Sequence, residues 1–378
     1  VRGDLVVLLC VTAGAGTVSI GAFPAIVPDL ARAAGLADWE LGLVAASFGL
    51  ARLGADLPVG WLVASHLRVG LALAPPLLAG GVLLLASGGS WPILVAGRVL
   101  AGGAHALGMV AGLTTILRTQ PVGRLAAALS AYEFAAMAGM LVATGILAFV
   151  STALPWRVAL LVACSPQVVG LLLVPAVLAR LPAEPRPNTA PVVARRARAG
   201  PVTARVALAF AVGGVAATAY AMLEQFLIPL RAHREFGLDR AGIARLLMLV
   251  QLVDIACLLP VGVLADRLGA RQVLACLLVL FGFGTASVAY GSFPLLVAGC
   301  VLFGLGLAGW TLPLSVLREG TLREHVAWRT ALYRLAVDGG IFLGPLLGGV
   351  LAPHLAGPVP AVLAVLLPAL GLALLRAR

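Results

Sequence analysis

PVGVLADRLGAR, residues 260–271, separates two long apolar runs, and a degraded copy, PVGWLVASHLRV, occupies 58–69. The chain around them is 61% hydrophobic and only 11% charged, with a mean hydropathy of +1.08. A water-soluble chain of 378 residues needs far more charge to cover its surface. Many of the apolar runs reach the roughly 20 residues that cross about 30 Å of hydrocarbon. The sequence therefore reads as an all-α, multi-pass membrane protein. In such a chain an Asp-Arg…Arg cluster, written once in full and once in part, calls for a physical reason.

Breaking the apolar runs at charged or Gly/Pro-rich segments gives twelve spans, at 5–28, 39–64, 69–88, 91–116, 124–150, 154–179, 204–229, 239–264, 271–291, 293–316, 328–352 and 357–375. The longest break, 181–203, is rich in Pro and Arg and reads as a linker. The expected organisation is an N-terminal six-helix bundle over 1–180, a cytoplasmic linker over 181–203 and a C-terminal six-helix bundle over 204–378. The first run, Leu5 to Val27, is long enough to span and no small-residue cleavage site follows it. It is expected to remain as a helix rather than leave as a signal peptide.

The net charge is +11, and every basic residue is Arg. In a membrane protein that balance reports orientation rather than nucleic-acid binding. With both termini inside, seventeen Arg fall on inner loops and tails and six on outer loops. Four of those six (Arg231, Arg234, Arg240 and Arg245) crowd around one loop. The bias places both termini and the linker in the cytoplasm. Richness in Ala, Gly, Pro and Arg suggests a GC-rich bacterial genome, hence a bacterial inner (plasma) membrane. The five Cys lie inside apolar runs without metal-ligand spacing and read as packing residues.

The two halves repeat. LPVG at 57–60 returns at 259–262, and GRVLAGG at 97–103 aligns with GCVLFGL at 299–305, both 202 positions on. AYEFAAMAG at 131–139 aligns loosely with LYRLAVDGG at 332–340, 201 positions on. A nearly constant offset through spans 2/8, 4/10 and 5/11 implies a parallel duplication about an axis along the membrane normal.

With these motifs in view the chain resembles the major facilitator superfamily over essentially its whole length. Gly262, Leu264, Asp266, Arg267, Gly269 and Arg271 match that family's G-x-L-a-D-R-x-G-r-r loop, while the copy after span 2 has Ala64 and Ser65 in place of Asp and Arg. Arg98 to Ala104 is similar to the R-x-x-q-G-x-g segment of span 4. Gly340, Gly344, Pro345, Gly348 and Gly349 resemble the G-x-x-x-G-P-x-x-G-G signature of the drug:proton antiporters, which normally sits in span 5 and here falls in span 11. The resemblance implies a cytoplasmic latch. Asp266 would face the electropositive N-terminal end of a helix in the other half, with Arg267 and Arg271 at the polar boundary. The plainer alternative is a positive-inside loop, which leaves Asp266 without a purpose.

Eight charges fall within the spans: Arg52, Asp56, Arg98, Glu133, Glu224, Asp254, Arg334 and Asp338. At roughly 2.5–3.5 kcal/mol each on insertion scales, they would cost on the order of 20–28 kcal/mol facing lipid. They are therefore expected to face one another or a wet cavity. Arg52 and Asp56 share one helix face, as do Arg334 and Asp338. The resemblance makes spans 2 and 11 neighbours, so these four read as a gating network. It makes spans 5 and 8 neighbours as well, which would bring Glu133, Asp254 and Gln251 together. Two carboxylates in one low-dielectric site compete for charge, and one of them holding a proton is what proton coupling requires. A polar clamp between helices is the competing reading.

The family's central cavity is lined mainly by spans 1, 4, 7 and 10. Candidates for it are Thr17, Ser19 and Phe23, then Arg98, His105 and Met109 on one face of span 4, then Tyr220, Glu224 and Gln225, and Trp310 with Thr311. His105 alone is more simply a packing histidine. Arg98 occupies a position the family ties to substrate or proton coupling, and Glu224 is its expected partner. Trp61 and Phe281 read as lipid-facing or core residues.

No G-x-x-x-x-G-K-[ST] loop exists in a chain without Lys, which excludes ATP-driven pumping by this chain. The five His are scattered, so an enzyme is not expected. The reading is a secondary active transporter working by alternating access, exporting a small amphiphilic or drug-like compound in exchange for protons. Glu133, Asp254 and Glu224 are its proton-coupling candidates. An organic-anion exchanger using the buried Arg, and a non-transporting sensor on the same fold, are the alternatives. No cofactor or metal is expected, with the proton gradient as energy source. The expected partners are a small-molecule substrate and membrane lipid, without nucleic acid, and the expected state is a monomer.

Overall fold

The computed structural model describes residues 2–182, 203–321, 326–350 and 357–376, so nearly all of the expected linker lies outside the described residues. Among the described residues there is no strand. Two compact units form: one over Val1–Asn188 with Gly237–Met248, the other over Thr189–Phe236 with Leu249–Arg378.

The first unit holds α1 (Arg2–Ala34), α2 (Asp38–Ser65), α3 (Leu67–Ser87), α4 (Trp91–Thr119), α5 (Val122–Phe149), α6 (Trp156–Cys164) and α7 (Gln167–Arg180). The second holds α8 (Ala204–Met222), a π-helical turn (Leu223–Leu227), α9 (Ile228–Arg234), most of α10 (Arg240–Leu268), α11 (Ala270–Tyr290), α12 (Phe293–Leu307), α13 (Leu312–Glu319), α14 (Val326–Val350) and α15 (Pro358–Arg376). The first turns of α10, up to Met248, group with the first unit.

Among the described residues, eleven segments are long and apolar enough to cross a membrane, and α2, bent by 51° beside Pro58, makes a twelfth. The bend is where a proline removes a backbone donor and crowds the preceding turn. The same chemistry divides other spans. Pro166 stands at the joint of α6 and α7, and Pro313 opens α13 after the break behind α12. Outward faces carry Trp61, Phe149 and Leu259, each about four-fifths exposed, as a hydrocarbon solvent permits. Phe281, by contrast, is core.

The segment 260–271 differs from a loop. Helix α10 runs on to Leu268, so Asp266 and Arg267 are exposed on its last turn, and Arg271 is half-buried on the first turn of α11. Gly269 alone makes the joint, at φ +97°, with its N–H donating to the Ala265 carbonyl at 2.9 Å. A left-handed residue stops a helix in one step, and glycine takes that conformation without steric cost. The degraded copy makes its joint between α2 and α3 with His66 at φ −137°.

Helix pairing repeats between the units. In the first, α1 packs on α5 and α4 on both α2 and α3; in the second, α8 packs on α14 and α11 on α12 and α15. Duplicated glycines mark the seams. A Cβ on Gly102 would run into the Phe48 carbonyl, and one on Gly304 into the Val250 carbonyl. Both members of the second pair lie 202 positions after the first. Likewise Gly139 abuts Gly14, and Gly340 abuts Gly214. Lipid tails are as apolar as Leu, so helices associate in a membrane by close backbone approach, which small residues allow.

The glycine run of α14 is part of this seam. Gly340 and Gly344 press on α8, and Gly348 presses on the Phe226 ring of the π turn. Pro345 and Gly349 complete the run on the same helix. Gly344→Val should therefore overpack α8 against α14 and cost about 1–3 kcal/mol. Gly262→Ala, with open space around it, should leave stability within about 0.5 kcal/mol. Thermal unfolding in detergent reads both.

Candidate functional site

Pro229 has no backbone N–H, so the carbonyl of Gln225, four residues earlier, lacks its usual helical donor. The helix widens at that point into the π turn Leu223–Leu227, closed by the Ile228 N–H on the Leu223 carbonyl. All five residues of the turn are buried, Glu224 and Gln225 at 2% and 3% exposure.

Glu224 meets α10 there. Gln251 Nε2 donates to its Oε1 at 3.1 Å, and the Tyr220 hydroxyl, one turn back on α8, hydrogen-bonds to the same carboxylate. Asp254, one turn on from Gln251, lies within electrostatic reach of Glu224. Gln251 Oε1 and Asp254 Oδ1 are buried and have no hydrogen-bond donor among the described residues. Tyr220 continues the cluster into an aromatic wall, edge-on to Trp310 at 5.5 Å and tilted to Phe303 at 6.4 Å. Glu224 and Gln251 form a buried floor, while Tyr220, Asp254 and Trp310 are half-buried around it.

Arg98 is arranged differently in the first unit. Its guanidinium lies 3.8 Å from the Phe23 ring centroid and 4.7 Å from that of Phe48, and it donates to the Ala45 carbonyl. At 2% exposure this cation lies against ring faces and a backbone dipole. Phe48 also stacks on His105 at 5.7 Å. His105 and Met109 line a cavity inside this unit together with Thr12, Tyr132 and Gln167. Thr17 donates to the Ala136 and Gly14 carbonyls, tying α1 to α5.

The other expected residues occupy several places. Asp338 is buried, while Arg52, Asp56 and Arg334 are half-buried on α2 and α14. Glu133 lies on the exposed side of α5. Thus Asp254, Gln251 and Glu224 come together within the second unit.

Arg240, a loop charge by sequence, is a fastening in the fold. Its side chain, 2% exposed, pairs with Asp29 at 3.0 Å and donates to the carbonyls of Ser151 and Leu154. It thereby ties the start of α10 to the end of α1 and to the connection after α5. Arg231 is buried too, bonded to Glu235 and to the carbonyls of Val288 and Gly291. Two of the four arginines crowded around this connection are thus buried structural cations. The repeat holds a clue to them. Asp29 and Asp38 correspond, 202 positions on, to Arg231 and Arg240, so the two halves carry opposite signs at matching places.

The chain belongs to the Major Facilitator Superfamily, whose sequence model matches residues 8–231 and 209–378. Among solved structures it is similar to the nucleoside transporter NupG, at 15% identity and TM-score 0.76, covering 99% of each chain. A bacterial homologue of the human lysosomal transporter Spinster, inward-facing and unoccupied, matches at 14% identity and TM-score 0.76, covering 100% of this chain and 94% of that one. A POT family transporter in complex with a thioalcohol-conjugated peptide matches at 13% identity and TM-score 0.79, over 98% and 95%. At such identities the likeness is one of fold. A search of the curated proteins found no match.

Asp29→Asn should leave the buried Arg240 guanidinium without its carboxylate and weaken the fastening by about 1–3 kcal/mol. Hydrogen exchange should then quicken in 237–248 relative to the core of α11. Equal protection in variant and wild type would mean the ion pair holds nothing in place.

Proposed function

We propose that this chain is a proton-coupled secondary active transporter that works by alternating access and exports a small amphiphilic compound. The observation that carries the reading is that the buried Glu224, held by Gln251, has the half-buried Asp254 within electrostatic reach. A low-dielectric site that bears two carboxylates favours one proton between them. An acid at membrane depth is costly unless it has such work and such neighbours. The π turn beneath Glu224 adds support, because these turns recur where a helix must present side chains for function.

In this reading the proton binds when the cluster is open to one side and leaves when it opens to the other. Glu133 on α5 is the third acid of the relay. Arg52 with Asp56, and Arg334 with Asp338, serve as gating groups. Gly262, Asp266, Arg267 and Arg271 form the inner latch at the α10–α11 joint. Both termini are cytoplasmic in a bacterial inner membrane, the chain works as a monomer, and no cofactor takes part. The organic-anion reading is less well supported, because Arg98 already lies against Phe23 and Phe48 inside its own unit.

The test is flux in proteoliposomes across a panel of lipophilic cations and organic anions, with and without an imposed pH gradient. Wild type should move a member of the panel faster when the gradient is present. Glu224→Gln and Asp254→Asn should lose the gradient-driven component while keeping exchange of substrate for substrate. Full gradient dependence in both variants would remove the proton assignment, and absence of any flux would favour a sensor.

A further inference from the structure

The cluster beside the π turn has an excess of one kind of polar atom. Glu224 supplies two carboxylate oxygens and Asp254 two more, and Gln251 adds its amide oxygen. The Gln251 amide and the Tyr220 hydroxyl are donors to this cluster, and both go to Glu224. That leaves Gln251 Oε1 and Asp254 Oδ1 buried with no donor among the described residues. Gln251 is only 7% exposed, and its amide is fixed toward the carboxylates by the bond to Glu224. A buried acceptor without a donor costs about 1–3 kcal/mol, more when it is charged. When the cluster has released its proton, relief of two such acceptors at one place falls to any ligand that brings N–H bonds and positive charge.

The wall beside the cluster suits the same ligand. Tyr220 and Trp310 stand edge to face, with Tyr220 also touching the carboxylate. Aromatic faces next to carboxylates attract a cation and the apolar body that carries it. The half-buried Tyr220, Asp254 and Trp310 leave the cluster approachable, whereas Glu224 and Gln251 form its floor.

We propose that Glu224, Gln251 and Asp254 bind the protonated primary amine of an aromatic or alkyl amine, and that they select for N–H bonds rather than for positive charge alone. This rests on the reading of Glu224 and Asp254 as functional acids and names the substrate class they take. A primary ammonium offers three donors, enough to engage the Asp254 and Gln251 oxygens together with Glu224. A quaternary ammonium of the same charge offers none and would leave those oxygens unpaired. Discrimination is strong when a site built for hydrogen bonds meets an analogue lacking them.

The probes are 2-phenylethylammonium and its N,N,N-trimethyl analogue, titrated calorimetrically into the purified chain in detergent at one fixed pH, with no gradient. The primary amine should bind at least about tenfold more tightly, the equivalent of one charge-assisted hydrogen bond. Asp254→Asn and Gln251→Leu, checked for unchanged helicity, should bring the two probes within about twofold of each other. Trp310→Ala should weaken both probes alike. Equal affinity of the two probes in the wild type, or saturable binding of neither, overturns the proposal without recourse to any variant. Binding as described, combined with flux indifferent to a pH gradient, would sink proton coupling and leave the amine site standing.

Discussion

Glu224 is 2% exposed on a helix long and apolar enough to cross a membrane, held by an amide from α10 and a hydroxyl from its own helix. Hydrocarbon offers no water to solvate such a group, so each buried charge must find its partners within the protein. Much of the second unit follows from that constraint. Pro229 opens the π turn, the turn holds Glu224, and α10 meets it with the Gln251 amide and, one helical turn on, the Asp254 carboxylate within electrostatic reach. The first unit meets the same problem at Arg98 by other means, with two phenylalanine faces and a backbone carbonyl around the guanidinium.

Holding these groups in place depends on helices that approach closely. Gly102 and Gly304, then Gly139 and Gly340, put backbone against backbone at corresponding seams of the two units. Close approach gives rigidity without a hydrophobic driving force, and it keeps polar side chains within bonding distance across a seam. Thr17 on the Ala136 carbonyl, beside the Gly14–Gly139 contact, is one such case. The G-x-x-x-G-P run of α14 belongs to this architecture, and its resemblance to an antiporter signature is accounted for by packing on α8.

The spans were readable from the sequence because hydropathy reports directly on the solvent, and the duplication because 202 positions separate like with like. Partners were harder. Spacing of four on a helix says which residues share a face, as for Tyr220 and Glu224, but not which helix that face meets. Gln251 and Asp254 were recognisable as polar residues in a span, yet their pairing with Glu224 needed a fold. Arg240 was hidden for a different reason. Charge beside a loop is ordinary, and burial of that charge depends on Asp29 and two carbonyls far away in sequence. The joint at Gly269 was also invisible as a one-residue break, since glycine in a charged stretch suggests a longer loop.

Proposed proton coupling requires that Glu224 and Asp254 share a single proton. Infrared difference spectroscopy of the purified chain tests this without knowledge of the substrate, because a protonated carboxyl has its own stretching band. The wild type should show such a band near neutral pH, shifted on deuteration and lost in both Glu224→Gln and Asp254→Asn. A wild-type spectrum with no such band, or one that both variants retain unchanged, would contradict it.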